Sequence, residues 1–389
     1  MKKTDKNDER PVERALLNLE DYHQRAKGTL AKMFYDFYST GSDDQTTLVD
    51  NIQAFRRIKI RPRVLVDVSS SLTEGSSNCS VEILNSTQIS FPCMIGPTSF
   101  HRLADSEHGE LATVRAAVAC STIMCISTGA STRLEIIADE HRKQIRENYP
   151  RSHSQLWYQL YVFKNRQYSQ RLIERAESSG YRALVLTVDA PQLGNRESDF
   201  YNQFSLPNGI QPENLIDDNN QVIKNHHQLP IDSSLSWKDI DWMRSITSLP
   251  IILKGILHPD DALQATKHDI QGIIVSNHGG RQLDTAIASI DALEDIVKAV
   301  RSQTQQIDIY LDGGIRRGTD IFKAIALGAK AVLIGRPILW GLAVDGERGA
   351  RNVLEILKKE FRLAMNLSGC VTIEDIRKNN LLVTNNSKL

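Results

Sequence analysis

The 389-residue chain has no net charge, because 47 Lys and Arg offset 47 Asp and Glu. Without a basic excess there is no electrostatic case for nucleic acid or an anionic membrane as partner. No apolar run is long enough to span a bilayer. The stretch Met1–Arg10 has no apolar core, so no secretory signal is expected. Cysteine is scarce: Cys79, Cys93, Cys120, Cys125 and Cys370, odd in number and without a C-x-x-C. That argues for reduced thiols in an intracellular protein and against a zinc site, and no metal is expected. The sequons at Asn78 and Asn85 are then chance matches. Solenoid-type repeats are absent, and so is a G-x-G-x-x-G after the first strand-like run, which weakens an open doubly wound sheet.

What remains is an ordinary globular composition, 41% hydrophobic and 24% charged, with a core-forming pattern. Residues 1–15 are charged and expected to be disordered; residues 16–389 read as one domain. Leu16 to Thr40 shows helical spacing with Gly41 as a stop, and Asp50 to Arg61 reads as a further helix, together a helical cap. From Phe91 short apolar runs alternate with helical stretches. Strands are expected near Cys93–Gly96, Ile123–Ser127, Trp157–Tyr161, Ala183–Val188, Ile251–Lys254, Gly272–Val275, Ile309–Leu311 and Ala331–Ile334. Helices are expected near Gly109–Ala119, Arg133–Arg142, Tyr168–Ser178, Asp260–Thr266, Ile290–Val300, Thr319–Leu327 and Gly349–Leu367. Eight such units predict a closed (β/α)8 TIM barrel with right-handed crossovers, and the open sheet is the alternative. A polar interruption from Gly194 to Trp237, after the fourth strand, reads as a lid or mobile active-site loop.

Active sites of such barrels lie at the C-terminal ends of the strands. Those ends carry Pro97-Thr98-Ser99, Ser127-Thr128, Gln159 and Tyr161, Thr187 and Asp189, Lys254, Ser276 with His278 and Arg281, Asp312-Gly313-Gly314 with Arg316, and Gly335-Arg336. A full circle of polar groups on one rim indicates a site. In Ser276-Asn277-His278-Gly279-Gly280-Arg281-Gln282-Leu283-Asp284, a proton acceptor and an anion-binding fork stand three residues apart. The glycine-rich turns after the seventh and eighth strands, each with an arginine, suit a phosphate.

The segments S-N-H-G-G-R-Q-L-D at 276–284, L-D-G-G-I-R-R-G at 311–318 and G-R-P at 335–337 resemble the FMN-dependent 2-hydroxy acid oxidase family, and the resemblance runs from about Leu19 to the C-terminus. It implies that Gly313, Gly314, Arg316, Gly335 and Arg336 hold the FMN phosphate and Asp312 the ribityl chain. It places Pro97, Thr98 and Ser99 against the flavin, Ser127, Gln159, Thr187 and Ser276 at the ring edge, and Lys254 at the flavin N1 and C2 carbonyl. It makes His278 the base, oriented by Asp189, with Arg281 and Arg196 clamping the substrate carboxylate and Tyr161 hydrogen-bonded to the substrate.

The resemblance further implies oxidation of an (S)-2-hydroxy acid to a 2-oxo acid, with O2 reduced to hydrogen peroxide, in a homotetramer or homo-octamer. Alternatives are a glycolate or lactate oxidase of the same family, a dehydrogenase passing electrons to a quinone or cytochrome, and a flavin-free phosphate-binding barrel. Two departures from the glycolate-oxidising pattern bear on substrate size. Phe37 stands where that pattern has Tyr, whose hydroxyl reaches the substrate carboxylate. Gly129 stands where it has Trp, and is expected to leave volume for an acyl tail. Phe37 is shared with the peroxisomal long-chain 2-hydroxy acid oxidases. The terminal Ser387-Lys388-Leu389 matches a peroxisomal address read by an import receptor.

Overall fold

The computed structural model describes residues 15–72, 78–215, 230–303 and 307–383. Of the expected disordered segment only its last residue lies among these. Residues 216–229 of the expected loop and the Ser387-Lys388-Leu389 tail lie outside them.

Eight parallel strands close into a barrel: β1 (Cys93–Ile95), β2 (Ile123–Ile126), β3 (Gln155–Leu160), β4 (Ala183–Thr187), β5 (Ile251–Ile256), β6 (Gly272–Val275), β7 (Asp308–Asp312) and β8 (Ala331–Ile334). β8 pairs with β1 and completes the ring. Both faces of each strand are covered, one by the barrel interior and one by helices, so the strands are nearly continuous apolar runs. Trp157 on β3 and Tyr310 on β7 meet edge-on at 5.7 Å. Those strands are not neighbours in the ring, so the contact crosses the barrel interior.

The helices Glu110–Ala119, Leu134–Glu147, Arg166–Ser178, Lys238–Ile246, Pro259–Ala265, Ser289–Arg301, Gly318–Ala326 and Arg336–Leu367 follow the strands in turn. Lys238–Ile246 is an addition to the expected set. The last helix starts at Arg336 rather than Gly349 and is broken at Asp345–Gly346, where φ is −156° and then 52°.

The cap also differs in detail. The single helical run expected from Leu16 to Thr40 is two helices, Leu19–Thr29 and Lys32–Ser39, parted where Leu30 turns to extended backbone. Asn18 opens the first by accepting from the Glu20 and Asp21 N–H groups, a side-chain N-cap. The helix expected at Asp50–Arg61 runs Thr46–Arg57. Lys59–Ile60 then pairs antiparallel with Leu382–Val383, which ties the cap to the end of the described chain.

Candidate active site

One cavity opens at the C-terminal ends of the strands, and the cap helices form part of its wall through Phe37 and Tyr38. Nearly all the residues expected at the site line it. Asp189 and Ser276 stand behind that lining and act on residues that do.

His278 sits at the centre. Its Nδ1 lies 2.8 Å from Asp189 Oδ1. An ionised carboxylate only accepts, so Nδ1 carries the proton and donates, leaving the Nε2 lone pair toward the cavity. The Tyr161 hydroxyl is 3.5 Å from Nε2. Burial pushes the His278 imidazolium below its usual 6.5; Asp189 opposes this, while Lys254 and Arg196 add to it. Burial works against the Asp189 charge, yet His278 and Lys254 outweigh it and hold the carboxyl below its usual range. Burial keeps the Tyr161 phenol protonated, its pKa raised. The group is thus a neutral base with an anionic orienter and a hydroxyl donor.

Asp189 reaches this position because β5 bulges between Lys254 and Ile256. Gly255 there has φ of +117°, and a Cβ on it would lie 2.5 Å from the Asp189 Cβ. Only glycine supplies both the backbone angle and the clearance.

Lys254 is 4% exposed. Its Nζ donates to Ser276 Oγ at 3.0 Å and lies 3.4 Å from Asp312 Oδ2. Burial lowers its pKa, but Asp312, Asp189 and Tyr161 outweigh that and hold the ammonium charged. Ser276 Oγ also accepts from the His278 N–H at 3.1 Å. The hydroxyl thus braces Lys254 and the His278 backbone and keeps its own O–H to donate. A polar chain runs beside it, with Ser99 Oγ 3.0 Å from Ser127 Oγ. Gln159 accepts from the Thr128 N–H at 3.0 Å and donates to Thr187 Oγ1 at 3.0 Å.

Arginines gather along the same cavity. Arg336 donates to the carbonyls of Tyr38, Gly279 and Thr40 at 2.7–2.9 Å, and Arg316 to that of Ile315 at 2.9 Å. Burial, Arg316 and Arg196 push Arg336 down to about 9, against Asp312. Arg281 donates to the carbonyls of Phe37 and Thr40 at 2.6 and 3.1 Å. Burial, Arg196 and Arg336 push it well below its usual range. Arginine keeps its proton in proteins, so these directions report buried cations, crowded by like charges, that bound anions would relieve.

How Arg281 and Arg336 are aimed is not legible from residue type or spacing. Both rest on carbonyls at the C-terminal end of the helix Lys32–Ser39, the negative end of its dipole. Three more residues of the 276–284 motif also acquire roles. Asp284 accepts from the Thr46 and Thr47 N–H groups at 3.1 and 2.8 Å, capping the helix Thr46–Arg57, whose own N-cap residue Gln45 makes no side-chain cap bond. Gln282 donates to the Asp189 and Gln192 carbonyls. Asn277 pairs with Asn51. No local signal marks these partners, since each lies about 90 or more residues away. Another hub escaped notice: His101 is 1% exposed and lies 2.6 Å from Thr98 Oγ1. The carboxylate of Glu110 accepts from Ser131, Thr132 and the His101 N–H.

The third side of the cavity is apolar, formed by Phe37, Phe100, Leu193, Pro212 and Leu215. The Phe37 ring lies under the Arg281 guanidinium at 5.2 Å and stacks on Phe204 at 4.3 Å. Gly129 lines the same cavity. A Cβ there would lie 2.7 Å from Ser99 Oγ, and Pro212 and Leu215 line the same cavity. The glycine lets the β2 loop approach Ser99 closely.

A barrel with a neutral base, an anion clamp and a second cationic pole near glycine turns is the site of a cofactor-dependent enzyme acting on a small acid. Residues 26–383 match the FMN-dependent dehydrogenase family, and the chain belongs to that family. It is 47% identical to a peroxisomal (S)-2-hydroxyacid oxidase of Arabidopsis thaliana, over 95% of this chain and 97% of that protein. It is 44% identical to 2-hydroxyacid oxidase 1 of Homo sapiens, covering 95% and 98%, and 45% identical to an L-lactate oxidase of Nostoc sp., covering 92% and 96%. Among solved structures a mandelate oxidase superposes with a TM-score of 0.83 at 35% identity, covering 95% and 98%. The cofactor is FMN, and the residues fit it. Arg316 and Arg336 suit a phosphate dianion, and the buried Asp312 Oδ1, without a hydrogen-bond partner among the described residues, suits a ribityl hydroxyl.

Proposed function

We infer that the chain oxidises (S)-2-hydroxy acids to 2-oxo acids, with O2 reduced to hydrogen peroxide, and prefers medium- or long-chain substrates to glycolate. FMN, when bound, accepts two electrons from the hydroxyl-bearing carbon and passes them to O2. His278 Nε2 takes the proton, and Asp189 fixes the tautomer and stabilises the imidazolium that results. Arg281 and Arg196 hold the substrate carboxylate; Arg196 is 7% exposed and its Nε has no hydrogen-bond partner among the described residues. Tyr161 donates to the substrate oxygen. The buried Lys254 ammonium offsets negative charge on the reduced cofactor. Gly313, Gly314, Arg316, Gly335 and Arg336 take the phosphate. The single observation that carries this reading is the 2.8 Å His278–Asp189 pair facing the arginine clamp across one cavity.

The preference for longer chains rests on Phe37 and the wall around it. Phe37 brings no hydroxyl to the carboxylate, and one hydrogen bond to a charged group is worth about 1.5–3 kcal/mol. Phe100, Leu193, Pro212 and Leu215 offer apolar contact instead, worth about 0.8 kcal/mol per buried CH2. Peroxide release across a series of (S)-2-hydroxy acids is expected to give a higher kcat/KM for medium- and long-chain substrates than for glycolate. Phe37→Tyr is expected to recover part of the glycolate activity. Glycolate as the best substrate of the unmodified enzyme would overturn the chain-length preference and leave the oxidase reading standing.

A peroxide-producing enzyme suits the peroxisome, and Ser387-Lys388-Leu389 is the segment an import receptor would read. Deleting those three residues is expected to leave activity unchanged and to move a fluorescently tagged protein to the cytosol. Unaltered peroxisomal fluorescence would refute the address.

A further inference from the structure

We propose that Asn51, on the cap helix Thr46–Arg57, is a positioning residue that locks the His278 turn to the phosphate-binding loop. His278 has φ of +59° without being glycine. Such backbone persists only where its surroundings over-determine it. Its neighbour Asn277 supplies part of that restraint: Asn277 Oδ1 accepts from the Gly280 N–H at 3.2 Å, bridging the turn, and Asn277 Nδ2 donates to the Ile287 carbonyl at 3.0 Å.

Asn51 in turn orients Asn277. The two side chains exchange hydrogen bonds of 2.9 and 2.8 Å, and Asn51 Oδ1 also accepts from the Ser289 N–H at 3.3 Å. The Gly280 N–H fixes which atom of the Asn277 amide is oxygen, so Asn51 must present its NH2 to that oxygen. Asn51 and Asn277 are 2% and 4% exposed, so no water replaces a lost partner cheaply.

The main chain of Asn51 meets the phosphate loop. A Cβ on Gly314, where φ is +82°, would lie 2.0 Å from the Asn51 carbonyl oxygen. One residue therefore touches the loop of Arg316 with its backbone and the turn of His278 with its side chain. Neither contact makes it a catalytic residue; it acts through Asn277.

Asn51→Asp keeps the shape and removes the donor, setting acceptor against acceptor. Asn51→Ala and Asn277→Ala, singly and together, complete the set, all made in the full chain with FMN. The inference rests on His278 being the base of a 2-hydroxy acid oxidase. A purified, FMN-loaded unmodified protein that releases no peroxide from any 2-hydroxy acid would refute that reading itself. With activity present, Asn51→Asp is expected to keep its flavin absorbance and lose kcat by about tenfold to a hundredfold, the scale of a small misplacement, with little change in KM. The double alanine variant should be no worse than the poorer single one, because the pair acts as a unit. The acid limb of kcat/KM should move to higher pH, as a loosened turn lets water reach the imidazolium. Normal kcat with an unmoved limb in folded Asn51→Asp, additive losses in the double variant, or failure of both Asn51 variants to fold with FMN would each overturn the positioning role.

Discussion

His278→Gln is expected to give a folded, yellow protein that binds FMN and has lost about 10²–10⁴-fold in kcat. Glutamine matches the imidazole in reach but has no basic nitrogen, so the step that needs proton removal fails while the cavity stays filled. The unmodified enzyme should show the complementary pH behaviour. The base works only when neutral, and burial, Lys254 and Arg196 together push its pKa below 6.5 despite Asp189. Activity should therefore hold through neutral pH and fall only on the acid side, below 6.5. Asp189→Asn removes the main influence that favours the imidazolium. Its acid limb should shift to still lower pH, while kcat drops because the tautomer is no longer fixed. A near-normal kcat in FMN-loaded His278→Gln would remove His278 from the role of base.

The barrel strands were legible because burial on both faces turns each into a short apolar run ended by polar residues. Gly272–Val275 and Ala331–Ile334 match their expected bounds, and β3 gains two residues at its start. The helices were less legible where glycine misled. Gly341, Gly346 and Gly349 look like breakers, which hid the start of the final helix at Arg336. In the structure Gly341 and Gly349 let two helical segments touch: a Cβ on Gly349 would lie 2.0 Å from the Gly341 carbonyl oxygen. The cap helix Thr46–Arg57 was placed late because its N-terminal cap comes from Asp284, and a window of neighbouring residues contains no trace of it.

The cavity-lining residues were legible as strand ends, whereas their supports were not. Ser276 reads as one more rim hydroxyl, yet the register of β6 turns it toward Lys254 and the His278 N–H. Gly129 reads as missing volume, but volume is a property of neighbours, and a Cβ there would lie only 2.7 Å from Ser99 Oγ. Thr98 is visible in the sequence; His101 and Glu110, which brace its loop, read as ordinary polar residues of a loop and a helix. Residue type and strand position thus reveal what faces the ligand, while hydrogen bonds across long stretches of sequence decide how it is aimed.

Arg281→Lys is expected to raise KM for every 2-hydroxy acid and lower kcat/KM by about 10–100-fold, the worth of one charge-assisted hydrogen bond of about 1.5–3 kcal/mol. FMN affinity should change far less. Arg281 does two things with one planar group. Nη1 is anchored on the Phe37 and Thr40 carbonyls, and the guanidinium lies over the Phe37 ring at 5.2 Å. The anchor leaves other N–H groups of the fork for a carboxylate, held at a fixed angle beside His278. A lysine keeps the charge but has one ammonium on a flexible stem, so it cannot satisfy the two carbonyls and grip a carboxylate in a fork. It also stacks less well on the ring, leaving Phe37 to its contact with Phe204. The effect should be near uniform along a chain-length series, because the carboxylate is common to all substrates, whereas Phe37→Tyr should act mainly on glycolate. Titrating FMN into the Arg281→Lys apoprotein and measuring kcat/KM across the series separates the two poles. Loss of FMN affinity with an unchanged substrate KM would move Arg281 to the cofactor site.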